Sequence, residues 1–283
     1  MRTPKRRGGL YEECRKEMLL RAYSPKTAKA YLSWIRSLVE YSKPRHPREL
    51  DNHDLREFLV YLIEKKRLAY ASVNQALNAL RFLYVELYKK EVYFEDLPRS
   101  KKGKSLPVVL NKAEMKKLLK VVNNFKHKMV LSLIYSSGLR LSETANLRLE
   151  DIDGERMLVY VRKTKFRKDR YTILSKTVLT DLRKYYKKYR PKTYLFEGKR
   201  RGKKYSVKSI QEIIMKARKK ANIRKHVTIH TLRHTFATHL TEQGVSLRVV
   251  QELLGHEDPR TTEIYTHVST TELSQINNPL DNL

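Results

Sequence analysis

Three short stretches between residues 137 and 268 carry side chains that could act together on an anion. The first is Ser137-Gly138-Leu139-Arg140-Leu141-Ser142-Glu143. Gly138 can end one helix and Ser142 reads as the N-cap of the next, so Arg140 projects from a rigid corner. A guanidinium held this way suits bidentate contact with phosphate oxygens. The second stretch is His230-Thr-Leu-Arg233-His234. Positions three apart on a helix share a face, so His230 and Arg233 can reach one ligand. His230 and His234 also have the spacing of two zinc ligands. However, Thr231 stands where the helical zinc-protease motif has glutamate, and no third ligand completes a site. A buried, hydrogen-bonded role suits His234 equally well. In the third stretch His256 follows Gly255, and Tyr265 comes nine residues later. Taken singly, Arg140 reads as a surface arginine and Tyr265, one of 18 tyrosines, as helix core.

The elements that must position these groups are mostly helices. Leu10 to Leu20 is a short one, with Cys14 flanked by Tyr11 and Met18 in its core face. Ser24-Pro25 is a cap and first turn, and Tyr31, Leu32, Ile35, Leu38 and Val39 form the stripe behind it. A second stripe runs through Leu55, Phe58, Leu59, Leu62 and Ile63. A third joins Val73, Ala76, Leu77, Leu80, Tyr84 and Leu87, with Ser72 as its expected cap. Two prolines, a glycine and four basic residues then fill positions 98–107, which reads as a linker. Asn111 to Glu114 is a capping box opening a helix that contains Met115, Leu118 and Leu119. A helix over about 126–136 stops at Gly138. Met157–Val161 and Tyr171–Ile173 read as the strands of a hairpin around a basic turn. Helices are expected over 177–189, 206–221, 230–243, 246–254, 259–267 and 270–276. Gly244 and Gly255 fall at helix C-caps, and no internal repeat is evident.

Composition narrows the partner. Of 283 residues, 61 are Lys or Arg and 30 are Asp or Glu, a net charge of +31. Such an excess opposes compaction unless a polyanion neutralises it, and nucleic acid gains affinity by releasing counterions. A ribosome-associated factor or a binder of anionic membrane would account for the charge alone. One cysteine leaves no internal disulfide and suits a reducing compartment. No apolar run approaches the roughly 20 residues that span a bilayer, and no signal-peptide pattern follows the basic start. A cytoplasmic protein is expected. The charged composition also suits a heat-loving source.

Taken together, Arg140, His230-x-x-Arg233, Gly255-His256 and Tyr265 resemble the tyrosine recombinase (phage integrase) family, in its Xer-type, single-protein archaeal form. The most specific stretches are Gly138-Leu-Arg-Leu-Ser-Glu143, Thr231 to Leu240, and Leu254-Gly-His256 through Tyr265-Thr-His-Val268. The resemblance implies a mainly α protein. A helical, SAM-like core-binding domain over 1–98 and a basic linker over 99–107 would precede an α-rich catalytic domain over 108–283 with a small antiparallel β-sheet.

The resemblance also implies residue roles. Tyr265 attacks the scissile phosphate to give a 3′-phosphotyrosine and a free 5′-hydroxyl. Arg140 and Arg233 clamp the non-bridging oxygens, His230 accepts the tyrosine proton, His256 donates to the phosphate, and Glu143 orients the basic groups. The proton for the 5′-oxygen comes from a lysine in the hairpin turn, and aligning the following strand selects Lys165. Thr164 and Phe166 replace the usual glycines there, so Lys163 and Lys168 stay open as alternatives. No metal, ATP or other cofactor is implied, in keeping with the absence of a Walker-type loop. The implied partner is a duplex DNA recombination site, gripped by a homotetramer whose C-terminal segments dock on neighbours. Ser269 to Glu272 would cap a last helix, with Leu273 and Ile276 as its contacts. Phosphate-binding candidates are Lys101, Lys102 and Lys104 in the linker, Arg162, Lys163, Arg167 and Lys168 in the hairpin, and Arg200 and Arg201. The expected role is chromosome-dimer resolution, from the family's link with resolving replicated circular chromosomes at division. No added arm-binding domain is visible, which also leans away from large phage integrases. Mobile-element integration and type IB topoisomerase activity are the alternatives.

Overall fold

The structure, a computed structural model, describes residues 9–90, 107–162, 169–255, 278–281 and 283. The chain divides into two compact units, Met1–Ser105 and Leu106–Leu283. The division falls inside the stretch 99–107 expected as a linker. Lys101, Lys102 and Lys104 lie outside the described residues.

The first unit is helical: α1 (Leu10–Leu20), α2 (Pro25–Ser42), α3 (Asn52–Glu64) and α4 (Tyr70–Arg81), the last running into a π-helical turn, Phe82–Leu87. The Ser24 hydroxyl accepts the Thr27 N–H at 2.8 Å, so the expected cap of α2 is present. Asp51 and Asp54 cap α3 reciprocally, each carboxylate taking the other's backbone N–H. The expected stripes converge on one core containing Cys14, Ile35, Leu38, Leu55, Phe58, Leu62, Leu77, Leu80 and Tyr84. Burial pushes the Cys14 thiol up to about 12, against a smaller pull from its backbone, so it is inert at neutral pH. Two details differ from expectation. Ile63, at 36% exposure, falls off the stripe. The helix α4 starts at Tyr70 with Ala69 as its uncapped N-cap, so Ser72 is inside the first turn. Here Arg67, at φ 49°, reverses the chain, and Leu68 N–H is bound to the Leu62 carbonyl, so the turn sets the start.

The second unit is built around α6 (Phe125–Ser137), which is buried on every side from Met129 to Ser137. A helix apolar all round must be central, and α5 (Lys112–Lys120), α8 (Lys176–Tyr189), α9 (Val207–Lys220) and α10 (Ile229–Glu242) pack around it. The Asn111–Glu114 capping box opens α5 as read from the sequence. The short helix α7 (Leu141–Asn146) leads into a three-stranded antiparallel sheet in the order β1 (Ile152–Asp153), β2 (Leu158–Val161) and β3 (Arg170–Ile173). The hairpin has the expected strands, with Val161 paired to Arg170 and Leu158 to Ile173. The two-residue β1 carries no readable period and was not foreseen. The last described helix, α11 (Leu247–Leu254), ends at Gly255, φ 60°. The expected helices over 259–267 and 270–276 lie outside the described residues.

The end of the chain folds back on its own unit. Asn278 donates to the Ser136 carbonyl at 2.6 Å, and Leu280 is buried. Asp281 accepts the Ser175 hydroxyl and the Lys176 and Thr177 N–H groups, supplementing the Ser175 cap of α8. Burial alone would raise the Asp281 carboxyl, but the Ser175 hydroxyl and these N–H groups outweigh it and hold it below its ordinary value. A depressed folded-state pKa adds stability above the unfolded value of about 4, which is lost as pH falls through the folded one. Asp281→Asn should therefore lower stability at pH 7 by about 1 kcal/mol. The deficit should shrink below about pH 4 in urea unfolding followed across pH.

Candidate active site

The motif around Arg140 is positioned by the end of α6. Gly138 takes the left-handed conformation, φ 59°, and ends the helix as read from the sequence. A Cβ at this position would lie 2.6 Å from Phe236 of α10 and 2.8 Å from Leu254 of α11, so three elements meet on this glycine. The helix that follows begins two residues earlier than expected. Arg140, not Ser142, is the N-cap of α7, because the Glu143 carboxylate reaches back to the Arg140 N–H at 2.7 Å. Ser142 is instead exposed inside the first turn.

Glu143 is 5% exposed and gathers three arginines. Arg140 Nη1 donates to it at 2.8 Å, and Arg170 Nη1 and Nη2 each donate at 2.9 Å, one to each oxygen. Arg233 Nη1 lies 3.9 Å from the same carboxylate. Burial alone would raise the Glu143 pKa. The paired Arg170 guanidinium, with the Arg140 N–H groups, reverses this and holds it at about 2. The carboxylate is therefore ionised at neutral pH.

The same three guanidiniums reach the end of α11. Arg170 Nε donates to the Leu253 carbonyl at 2.8 Å, Arg233 Nη2 to Leu254, and Arg140 Nη2 to Gly255 at 2.8 Å. Arg233 Nη1 also donates to the Gly138 carbonyl at 2.6 Å. Three successive carbonyls at a helix C-terminus, its negative end, thus each accept from a different arginine. Arg140, Glu143 and Arg233, expected as a group from the sequence, lie side by side. The arrangement can do one thing well: present fixed cationic donors to an anion, already neutralised in part by one buried carboxylate.

The histidines divide differently from expectation. Arg233 is buried on α10 while His230, one turn before it, is exposed. His234 is exposed as well, with its ring 6.4 Å from that of His230. The buried, satisfied histidine of α10 is His239, whose Nδ1 is 2.8 Å from the Tyr135 hydroxyl. The buried stripe of α10 runs through Leu232, Phe236 and Leu240, which turns position 239 inward and 234 outward. Partial desolvation, then the charges of His230 and Arg233, lowers the His234 pKa. Among the described residues no cluster of His, Cys, Asp and Glu could hold a metal.

Lys165 with its alternatives Lys163 and Lys168, Arg167, His256 and Tyr265 lie outside the described residues, as do Leu273 and Ile276. Arg162 is described, and it is engaged by Asp151 at 2.7 Å and Glu150 at 2.8 Å. Its side chain remains 45% exposed. Arg200 and Arg201 are exposed at a turn closed by the Gly198 N–H to Lys203 carbonyl bond. Sequence reading did not place Arg170 in the Glu143 cluster. Its signal was present: it shares inward parity with Thr172 on β3, and an inward arginine requires a buried anion.

Residues 108–272 match the model of the phage integrase family, and residues 10–93 match its N-terminal SAM-like domain. The chain belongs to the phage integrase family. Within it, the protein is a site-specific tyrosine recombinase of the Xer type. It is 39% identical to the tyrosine recombinase XerA of Pyrococcus horikoshii, over 78% of each chain. It is 37% identical to a putative integrase/recombinase of Sinorhizobium fredii, over 96% of this chain and 88% of that one. A crystal structure of XerA recombinase superposes with a TM-score of 0.52 at 28% identity, covering 93% of this chain and 94% of that one. A lambda integrase dimer bound to a core site shares the fold, with a TM-score of 0.70 at 19% identity over 92% and 99% of the two chains. Among the described residues no helix of this recombinase is long and apolar enough to cross a membrane.

Proposed function

We propose that this recombinase cuts and rejoins duplex DNA at a specific site through a phosphotyrosine on Tyr265, and that its role is to resolve chromosome dimers. The observation that carries the chemistry is the convergence of Arg140 and Arg233 on Glu143 and the end of α11. In the proposed reaction the Tyr265 oxygen attacks phosphorus and the bond to the 5′-oxygen breaks. The phenol proton passes to His230, and Lys165 protonates the departing oxygen. Arg140, Arg233 and His256 stabilise the charge that builds on the non-bridging oxygens; each preorganised donor of this kind is worth about 10²- to 10³-fold. The phosphoester stores the bond energy, so attack by another 5′-hydroxyl rejoins the strand without a nucleotide. Lys101, Lys102, Lys104, Arg162, Lys163, Arg167, Lys168, Arg200 and Arg201 would contact backbone phosphate, which positions the protein without reading sequence.

Assembly as four protomers on paired sites is supported by the fold shared with a lambda integrase tetramer bound to a Holliday junction. The identity to XerA proteins supports the chromosomal role. The test is incubation with genomic DNA and mapping of covalent adducts, followed by reaction with a nicked duplex carrying the mapped sequence. Adducts should collect at one chromosomal site, on the 3′ side of the break, with equal yield in chelator. Adducts at the ends of a mobile element would make the protein an integrase. Adducts without site preference, together with relaxation of any plasmid, would make it a topoisomerase.

A further inference from the structure

We propose that Arg170 is a positioning residue for strand cleavage: it sets the catalytic arginines through Glu143 and ties the β2–β3 hairpin to the end of α11. The proposal rests on the reading of Arg140 and Arg233 as the phosphate clamp.

A carboxylate offers about four lone-pair sites, and in Glu143 all four are taken. One oxygen accepts Arg140 Nη1 at 2.8 Å and Arg170 Nη1 at 2.9 Å. The other accepts the Arg140 N–H at 2.7 Å and Arg170 Nη2 at 2.9 Å. Arg170 therefore fills half of the coordination that fixes the carboxylate, and the carboxylate fixes the Arg140 guanidinium. Its remaining donor, Nε, holds the Leu253 carbonyl at 2.8 Å. Its side chain also lies against Gly255, where an added Cβ would meet Arg170 Cδ at 2.9 Å. With its side chain only 11% exposed, Arg170 is no surface phosphate ligand. It stands at the base of the hairpin turn that carries Lys163, Lys165 and Lys168, and it grips the helix end that leads to His256 and Tyr265.

The geometry needs a planar fork with a third donor. A lysine keeps the charge but cannot bridge both Glu143 oxygens and reach Leu253. Without the fork, the carboxylate keeps only its two contacts to Arg140 and can shift toward Arg233. A misplacement of about 1 Å in a catalytic group can cost on the order of 10²-fold in rate.

The experiment uses the full chain and a nicked duplex of the mapped site, comparing wild type, Arg170→Lys, Arg170→Gln, Glu143→Gln and the Glu143→Gln/Arg170→Gln double variant. Single-turnover adduct formation, duplex affinity and thermal unfolding are read together. Adduct formation should fall about a hundredfold in Arg170→Gln, with little rescue in Arg170→Lys, while affinity stays within about threefold. Loss of Arg170 also leaves Glu143 easier to protonate, so the acid limb of the rate profile should move to higher pH in Arg170→Gln. The double variant should lose less than the product of the two single losses, because Arg170 and Glu143 share two hydrogen bonds. Wild-type rate and pH profile in Arg170→Gln would overturn the proposal. So would losses that multiply in the double variant. Should Arg170→Gln fail to fold, Arg170→Lys decides: folded and slow supports the proposal, folded and fully active defeats it. Absence of any adduct in wild type would instead defeat the underlying reading of the site.

Discussion

The Tyr265→Phe protein is expected to bind its duplex site with wild-type affinity and to form no covalent adduct at any pH. Phenylalanine keeps the ring and loses the only atom that could become the phosphoester oxygen. The donors proposed to hold the phosphate belong to Arg140 and Arg233, and these are fixed by Glu143, Gly138 and the end of α11, none of which this substitution alters. Binding and chemistry should therefore separate cleanly. The structure also narrows the field of rival nucleophiles. Tyr84, Tyr135 and Tyr185 are fully buried, and burial pushes each phenol well above its ordinary range. An adduct surviving in Tyr265→Phe, detected by denaturing gel and peptide mapping, would place the nucleophile elsewhere.

The second large effect is expected from Glu143→Ala. Arg170 and Arg233, with side chains 11% and 4% exposed, would keep their charges and lose the Glu143 carboxylate they face. Removing one partner of a buried ion pair typically costs about 3–5 kcal/mol. The linkage argument gives a consistent size. A carboxyl held at about 2 against 4.5 unperturbed is worth about 3 kcal/mol at neutral pH. Because that pKa is depressed, the contribution is complete above about pH 4.5 and disappears as pH falls toward about 2. Glu143→Ala should thus unfold at markedly lower urea concentration at pH 7, with the gap to wild type closing at low pH. Duplex DNA should restore more stability to the variant than to wild type, since phosphate supplies the missing negative charge. Equal stabilisation by DNA in both proteins would show that the cluster is a structural unit with no phosphate site.

Much of this molecule was legible in the chain because local rules and tertiary packing agree. The stripes of α2, α3 and α4, the caps at Ser24 and Asn111, and the glycine stops at Gly138 and Gly255 all follow from the 3.6-residue period and from backbone freedom at positive φ. The roles proposed for Arg140, Glu143 and Arg233 come from a different source. Their types and spacing match a family pattern, and a pattern survives without any knowledge of distance. Position 72, position 142 and position 234 misled for one shared cause. At each, a local preference for capping or burial was overridden by contacts made elsewhere: the turn at Arg67, the Glu143 carboxylate, and the stripe of α10 on the core.

Arg140 and Glu143 are three residues apart, and their pairing follows from the helix between them. Arg170 and the carbonyls of Leu253, Leu254 and Gly255 are joined to them only by folding. Residue types and their order along the chain say which groups can carry charge to a phosphate. That one buried carboxylate is filled to capacity by Arg140 and Arg170, with Arg233 beside it, was decided by the tertiary structure. Hydrogen bonds between distant segments depend on register and approach, which no local period encodes.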